Sequence, residues 1–193
     1  MKRSIKLLLL LAFLALLTSG CITIPKGDNA QDKREVIQQM KNDTLSDLYS
    51  MHPQSKDRLQ RAVGYAVFSN VGLNFYLVTL GGGWGITHDN KSNQELYMKM
   101  VYGGIGPGMG IKDFRGIFVF KSIESFTDFK EKGWITGFAG DIVAKSEAKG
   151  GGAGGAISVS PDIDLYQLTK NGLAIQATIQ GAKYYQDKEL NQQ

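Results

Sequence analysis

One cysteine, Cys21, in 193 residues leaves the chain without disulfides, so its stability rests on a packed core. Two histidines, His52 and His88, stand far apart in sequence and cannot assemble a zinc cluster with that lone thiol. No G-x-S-x-G elbow and no G-x-x-x-x-G-K-[ST] phosphate loop occurs. The run Gly104-Ile105-Gly106-Pro107-Gly108 has no helix pattern after it, and Pro107 lacks an N–H, so it is no dinucleotide fingerprint. Asp162 and Asp164 are two apart, but no EF-hand pattern surrounds them. We therefore expect no metal, no cofactor and no enzymatic chemistry. A basic field is nearly absent too. Of 22 Lys and Arg set against 18 Asp and Glu, three fall in the first six residues, which leaves a balance of +1 and no footprint for nucleic acid. Beyond residues 7–17 there is no long apolar run.

What is present begins with sorting. Lys2, Arg3 and Lys6 form a positive start, and residues 7–17 an apolar core too short for a transmembrane helix, which needs about 20 residues. Leu17-Thr18-Ser19-Gly20-Cys21 resembles the bacterial lipobox, in which the cysteine is diacylglycerol-modified, exposed by cleavage and acylated on its amine. Residues 1–20 are expected to be a lipoprotein signal peptide, Cys21 the lipid anchor, 21–31 a tether and 32–193 a single domain. Ile22, not aspartate, follows the cysteine, which points to outer-membrane sorting on the enteric rule, with the domain facing the periplasm.

The domain reads as α+β and β-rich. Asn29, with Asp32 three residues on, caps a helix whose face is Val36, Ile37, Met40, Thr44 and Leu48, with a break possible at Thr44-Asp47. Ser55 is a cap candidate for a second short helix running toward Gly64. That helical face is expected to pack on the sheet and not on the membrane, because its polar side is acidic. Residues 65–69 and 73–80 read as strands, with a turn or bulge at 70–72. Gly81, Gly83 and Gly85 form a small ladder with one bare face, and Gly104, Gly106, Gly108 and Gly110 a larger one. A bare face admits another backbone, an aromatic ring or a ligand tail. Ile117-Phe118-Val119-Phe120 has no polar side and reads as a buried central strand. Ser122 and Gly133 bracket a short helix near 123–131. Residues 134–145 are strand-like, the glycines of 150–155 a flexible turn, and 157–165 a strand pair about Pro161. Asn171-Gly172 reads as a type I′ turn joining two strands. Two bare-faced segments in one small domain suggest a strongly bent or barrel-like, mostly antiparallel sheet.

The order Gly64-Tyr65-Ala66-Val67-Phe68, the Gly81–Gly85 cluster, the Gly103–Gly110 ladder, the Phe126/Phe129 helix before Trp134, and residues 173–185 resembles the SYLF-domain family across most of residues 32–190. Glu95-Leu96-Tyr97-Met98 stands where many members carry Trp-Ser-x-Pro. The resemblance implies a β-rich domain with several helices, lipid binding without catalysis, and membership among bacterial envelope lipoproteins.

Two functions follow as expectations. In the first, Trp84 and the methionines line a lipid groove, and Lys99, Lys112, Arg115 and Lys121 meet the phosphate of an anionic head group. In the second, the sheet binds a protein partner or a second copy in an envelope assembly.

Overall fold

The computed structural model describes residues 25, 27–133, 155–169, 172–173 and 182–192; residues 71–80, 104–114, 169 and 172–173 are described by backbone alone. The signal peptide, Cys21, residues 134–145 and most of the 150–155 glycine run lie outside the described residues.

Helix α1 spans Ala30–Met51. Asn29 Oδ1 accepts from the Asp32 amide at 2.9 Å, which satisfies one orphan donor of the first turn, and the Asp32 carboxylate reaches back to accept from the Asp28 amide, ahead of the cap, at 3.2 Å. The alternative of a break at Thr44-Asp47 is not taken: the helix runs through it. Thr44 is buried with Ile37, Leu45 and Leu48, its hydroxyl turned to Met40 Sδ. Helix α2, Gln54–Arg61, starts two residues earlier than the Ser55 cap implied: Pro53 holds the N-cap position. The Ser55 hydroxyl instead donates to the His52 carbonyl at 2.6 Å, closing the α1–α2 corner.

The sheet is built on one long hairpin, β1 (Gly64–Asp89) against β2 (Glu95–Phe120). The expected break at 70–72 is absent, since Asn70, Val71 and Gly72 pair in register with Phe114, Asp113 and Lys112. Two strands of 26 residues each are far longer than ordinary strands and must bend. The register slips by one between Tyr76↔Gly108 and Val78↔Ile105, which leaves Gly106 and Pro107 opposite Leu77. That is the place where a residue without an N–H costs no ladder bond. Of the larger ladder, Gly104 pairs with Thr79, Gly108 with Tyr76 and Gly110 with Asn74. What its bare face meets lies outside the described side chains.

The far half of β2 pairs with β4 (Ile163–Thr169), which pairs in turn with β3 (Ile157–Ser160) and β5 (Gly172–Leu173). The near half pairs with β6 (Ala182–Gln186). All these pairings are antiparallel, and the sheet curls into a half-barrel. Thr169 pairs with Gly172, so Gly172 belongs to a strand and not to the turn that the Asn171-Gly172 reading placed there; Asn171 lies outside the described residues.

The smaller glycine ladder explains the curl. A Cβ on Gly83 would fall 2.1 Å from the Ser69 carbonyl oxygen, and one on Gly85 2.3 Å from that of Val67. The two arms of β1 therefore lie against each other, backbone to backbone, and only glycine permits that approach. The inward residues of β1 are even before the bend (Ala66, Phe68, Asn70) and odd after it (Gly81, Gly83, Gly85). In β2 they stay even (Met98, Met100, Tyr102; Phe118, Phe120), as a one-residue slip between the strands requires.

The inner face packs Phe68, Phe118, Phe120 and Tyr184 against Phe126 and Phe129 of α3, Ile123–Lys132. Ser122 caps α3, and Gly133, in the left-handed region at φ 61°, ends it as expected. The outer face is covered by α1 and α2. Leu45, Leu48 and Leu59 sit on Val67, Ile117, Val119 and Tyr166, while Ile37 sits on Ile86 and Leu190. The acidic-sided helix thus buries its apolar stripe on the sheet.

Candidate functional site

On the outer face, α1 leaves part of the curled half uncovered. Paired residues in an antiparallel ladder point to the same side. Trp84 on β1, Lys99 on β2 and Tyr185 on β6 therefore form one row, and Gly82, Val101 and Lys183 the next. At one end of the first row Trp84 packs beside Ile37, Ile86 and Leu190 at the edge of α1. Tyr185 at the other end and Val101 in the next row are each 38% exposed, unusual for large apolar side chains among the described residues. Lys183 is exposed and forms no ion pair among the described residues.

Lys99 is held by a neighbour. Its Nζ lies 3.0 Å from Asp187 Oδ2, and Asp187 is itself buried. Asp187 caps the turn after β6 through its Oδ1, which accepts from the amides of Glu189 and Leu190. The polar tail continues the ladder by imitation. Asn191 Oδ1 accepts from the Tyr97 amide at 2.9 Å while Asn191 Nδ2 donates to the Tyr97 carbonyl at 2.8 Å. Arg34 of α1 then donates to the Leu190 and Gln192 carbonyls. The tail from 187 is thereby pinned beside the site. The Trp84 indole N–H is buried without an acceptor among the described residues.

The remaining bases of the sequence reading stand elsewhere. Arg115 pairs with Asp47 of α1 at 3.0 Å, and Lys121 with Asp164 of β4 at 3.0 Å. Lys112 lies opposite Gly72 in the ladder, its side chain outside what is described. The structure thus brings Trp84 and Lys99 together and ties Arg115 and Lys121 to other elements. Met98 and Met100 are fully buried on the inner face, opposite in direction to Trp84. Lys183 and Tyr185 were missed. Their alternation in Ala182-Lys183-Tyr184-Tyr185 carried the signal, but which strand they would join was not readable from spacing.

A second cluster ties the hairpin end to α1. Glu95 accepts from Lys41 Nζ at 2.5 Å and from Gln38 Nε2, and meets His88 Nδ1 at 3.2 Å. Burial pushes the Glu95 carboxyl up, but the Lys41 and Gln38 hydrogen bonds outweigh it and hold the group below its usual 4.5. His88 stacks on Tyr65 with ring centroids 5.0 Å apart. Burial, aided by Tyr49 and Glu95, pushes the Tyr65 phenol up to about 12. These groups satisfy one another, which is the behaviour of a structural clasp. Among the described residues no three His, Cys, Asp or Glu gather as a metal site, and no helix is long and apolar enough to cross a membrane.

No family model matches the chain. It is similar to Beta cell expansion factor A of Aeromonas veronii, with 29% identity over 164 residues that cover 84% of this chain. The matched region is 60% of that protein, so the chain spans less than two thirds of the relative's length.

Proposed function

We propose that this is a lipid-anchored envelope domain of SYLF type, non-enzymatic, that binds anionic phospholipid head groups through the outer face of its curled half. Tether and anchor come from the sequence: the lipobox-like run ends at Cys21, eight residues before the Asn29 cap of α1. The observation that carries the binding reading is the row Trp84–Lys99–Tyr185 with Val101 and Lys183 beside it. Two lysines among exposed aromatic and aliphatic side chains suit a membrane interface, where the ring sits at head-group depth and the ammonium meets phosphate. The near-neutral balance of the domain requires such a local cluster. Lys99 would exchange Asp187 for phosphate, and Lys183 pairs with no acid among the described residues.

Co-sedimentation of the full chain carrying Cys21→Ser with phosphatidylglycerol vesicles tests this reading. Lys99→Glu with Lys183→Glu should weaken binding at least tenfold. Arg115→Glu with Lys121→Glu, which breaks ion pairs elsewhere, should leave it within about twofold. The reverse pattern refutes the site. A second reading, that the chain shares the cell-expansion role for which its Aeromonas relative is named, draws on the similarity over 84% of the chain. Stimulation of cultured β-cells by the Lys99→Glu/Lys183→Glu protein would separate that role from this face.

A further inference from the structure

The inner face of the sheet holds two acceptors that no described residue satisfies. Asn70 is 2% and Gln167 4% exposed, and Asn70 Oδ1 and Gln167 Oε1 have no hydrogen-bond partner among the described residues. The Asn70 amide nitrogen turns to Met100 Sδ at 3.4 Å. A thioether accepts and cannot donate, so this contact fixes which end of the amide is the free oxygen. Buried carbonyl oxygens left without a donor are costly and uncommon.

Register places both around one glycine. Gly116 of β2 stands between Phe68 of β1 and Gln167 of β4, and Asn70 is the next inward residue of β1 after Phe68. Among the described residues, a Cβ on Gly116 would meet Leu165 Cδ1 at 3.6 Å and the Phe118 ring at 4.0 Å, which are ordinary contacts. The inward glycines beyond the bend differ: at Gly81, Gly83 and Gly85 the nearest atom would be 2.1–2.3 Å away.

From this arrangement we infer an interior subsite for the head of a neutral amphiphile with two hydrogen-bond donors, a monoacylglycerol-like diol. One hydroxyl donates to Asn70 Oδ1, the other to Gln167 Oε1, and the chain runs along the Phe68, Phe118 and Leu165 side of Gly116. The chemistry selects the head. Phosphate and carboxylate offer lone pairs to two oxygens that already carry them, whereas each hydroxyl of a diol brings a donor. The inference shares the lipid-binding reading only in ligand class. It concerns the opposite face of the sheet and does not use Lys99 or Lys183.

The test is a titration of the full chain, carrying Cys21→Ser and ¹³C-methyl methionine, with 1-decanoylglycerol below its micellar concentration. Decanoate and decyl phosphate at pH 8 serve as chain-matched anions. The Met100 methyl should shift saturably with 1-decanoylglycerol, at about tenfold lower concentration than with either anion, the ratio for one hydrogen bond's difference in binding. Gln167→Met removes an acceptor and keeps the volume; it should weaken the diol about tenfold while leaving phosphatidylglycerol vesicle binding unchanged. Asn70→Leu serves as the second variant should Gln167→Met fail to fold. Three results would overturn the inference: no saturable shift at Met100, so that buried water alone satisfies the oxygens; equal affinity for the anions; or variant affinity equal to the parent's. Loss of vesicle binding by Lys99→Glu/Lys183→Glu with the Met100 shift intact would separate the two sites.

Discussion

Replacing Gly83 by alanine adds a single methyl at the tightest point of the curl. That carbon would lie 2.1 Å from the Ser69 oxygen and 2.8 Å from Asn70 Cα and Cβ. A carbon and a carbonyl oxygen in contact sit about 3.3 Å apart, so the two arms of β1 must separate by roughly 1 Å or more. No flexible side-chain end can yield, because the neighbours are backbone or Cβ atoms. Overpacking of this kind costs about 1–3 kcal/mol. For a domain of this size the melting temperature should fall by roughly 2–12 °C, at about 2–4 °C per kcal/mol. Gly83 lies outside the left-handed region, so the cost is steric and not a matter of backbone angle. Gly116→Ala is the control, since its new carbon meets neighbours at 3.6 and 4.0 Å. It should melt at or slightly above the parent, as compatible glycine replacements stabilise by about 0.4–1 kcal/mol. Urea or thermal unfolding followed by circular dichroism measures both. If Gly83→Ala unfolds with Gly116→Ala, the arms do not press on each other and the explanation of the curl is wrong.

Cys21→Ala should release the protein from membranes after a high-salt wash, whereas the parent stays bound; complete retention of the variant would contradict a sole lipid anchor. The Glu95 carboxyl titrates below its usual 4.5, so its stabilisation is present above that value and is lost as pH falls through the folded one. Urea midpoints between pH 7 and pH 3 should therefore drop less in Glu95→Gln than in the parent. Tyr65 is displaced upward to about 12, so the folded phenol stays neutral where an unfolded one ionises. Stability should then decline as pH rises from about 10 to 12. Tyr65→Phe should flatten that decline; an unchanged slope would place the titration elsewhere.

Local signals were the most legible parts of the chain. Asn29, Ser122 and Gly133 act at helix ends through bonds within one turn, and each does what its residue type implies. The α+β, β-rich class and the bent antiparallel sheet were also readable, because a strand bare on one face must admit something close. What the Gly81–Gly85 face admits is the strand's own earlier arm, a contact no spacing rule supplies. The same reason explains the missed continuity at 70–72. Asn70 and Gly72 weaken a strand in isolation, but pairing with Phe114 and Lys112 carries the ladder through. Of the site, Trp84 and Lys99 were found because alternation sets their face. Lys183 and Tyr185 join them only through β6 pairing across more than 80 residues of sequence. Arg115 and Lys121 looked like head-group ligands by charge alone. Their partners Asp47 and Asp164 come from elements whose docking follows from tertiary packing.

The most direct test is flotation of the full chain carrying Cys21→Ser with liposomes of phosphatidylglycerol or of phosphatidylcholine, at low and high salt. Exposed ammonium–phosphate contacts are screened within about 8 Å at physiological ionic strength. The protein should float with phosphatidylglycerol at low salt, lose most of that binding at high salt, and stay at the bottom with phosphatidylcholine throughout. Flotation that ignores both lipid charge and salt, or none with either lipid, would contradict head-group recognition by the Lys99–Lys183 face.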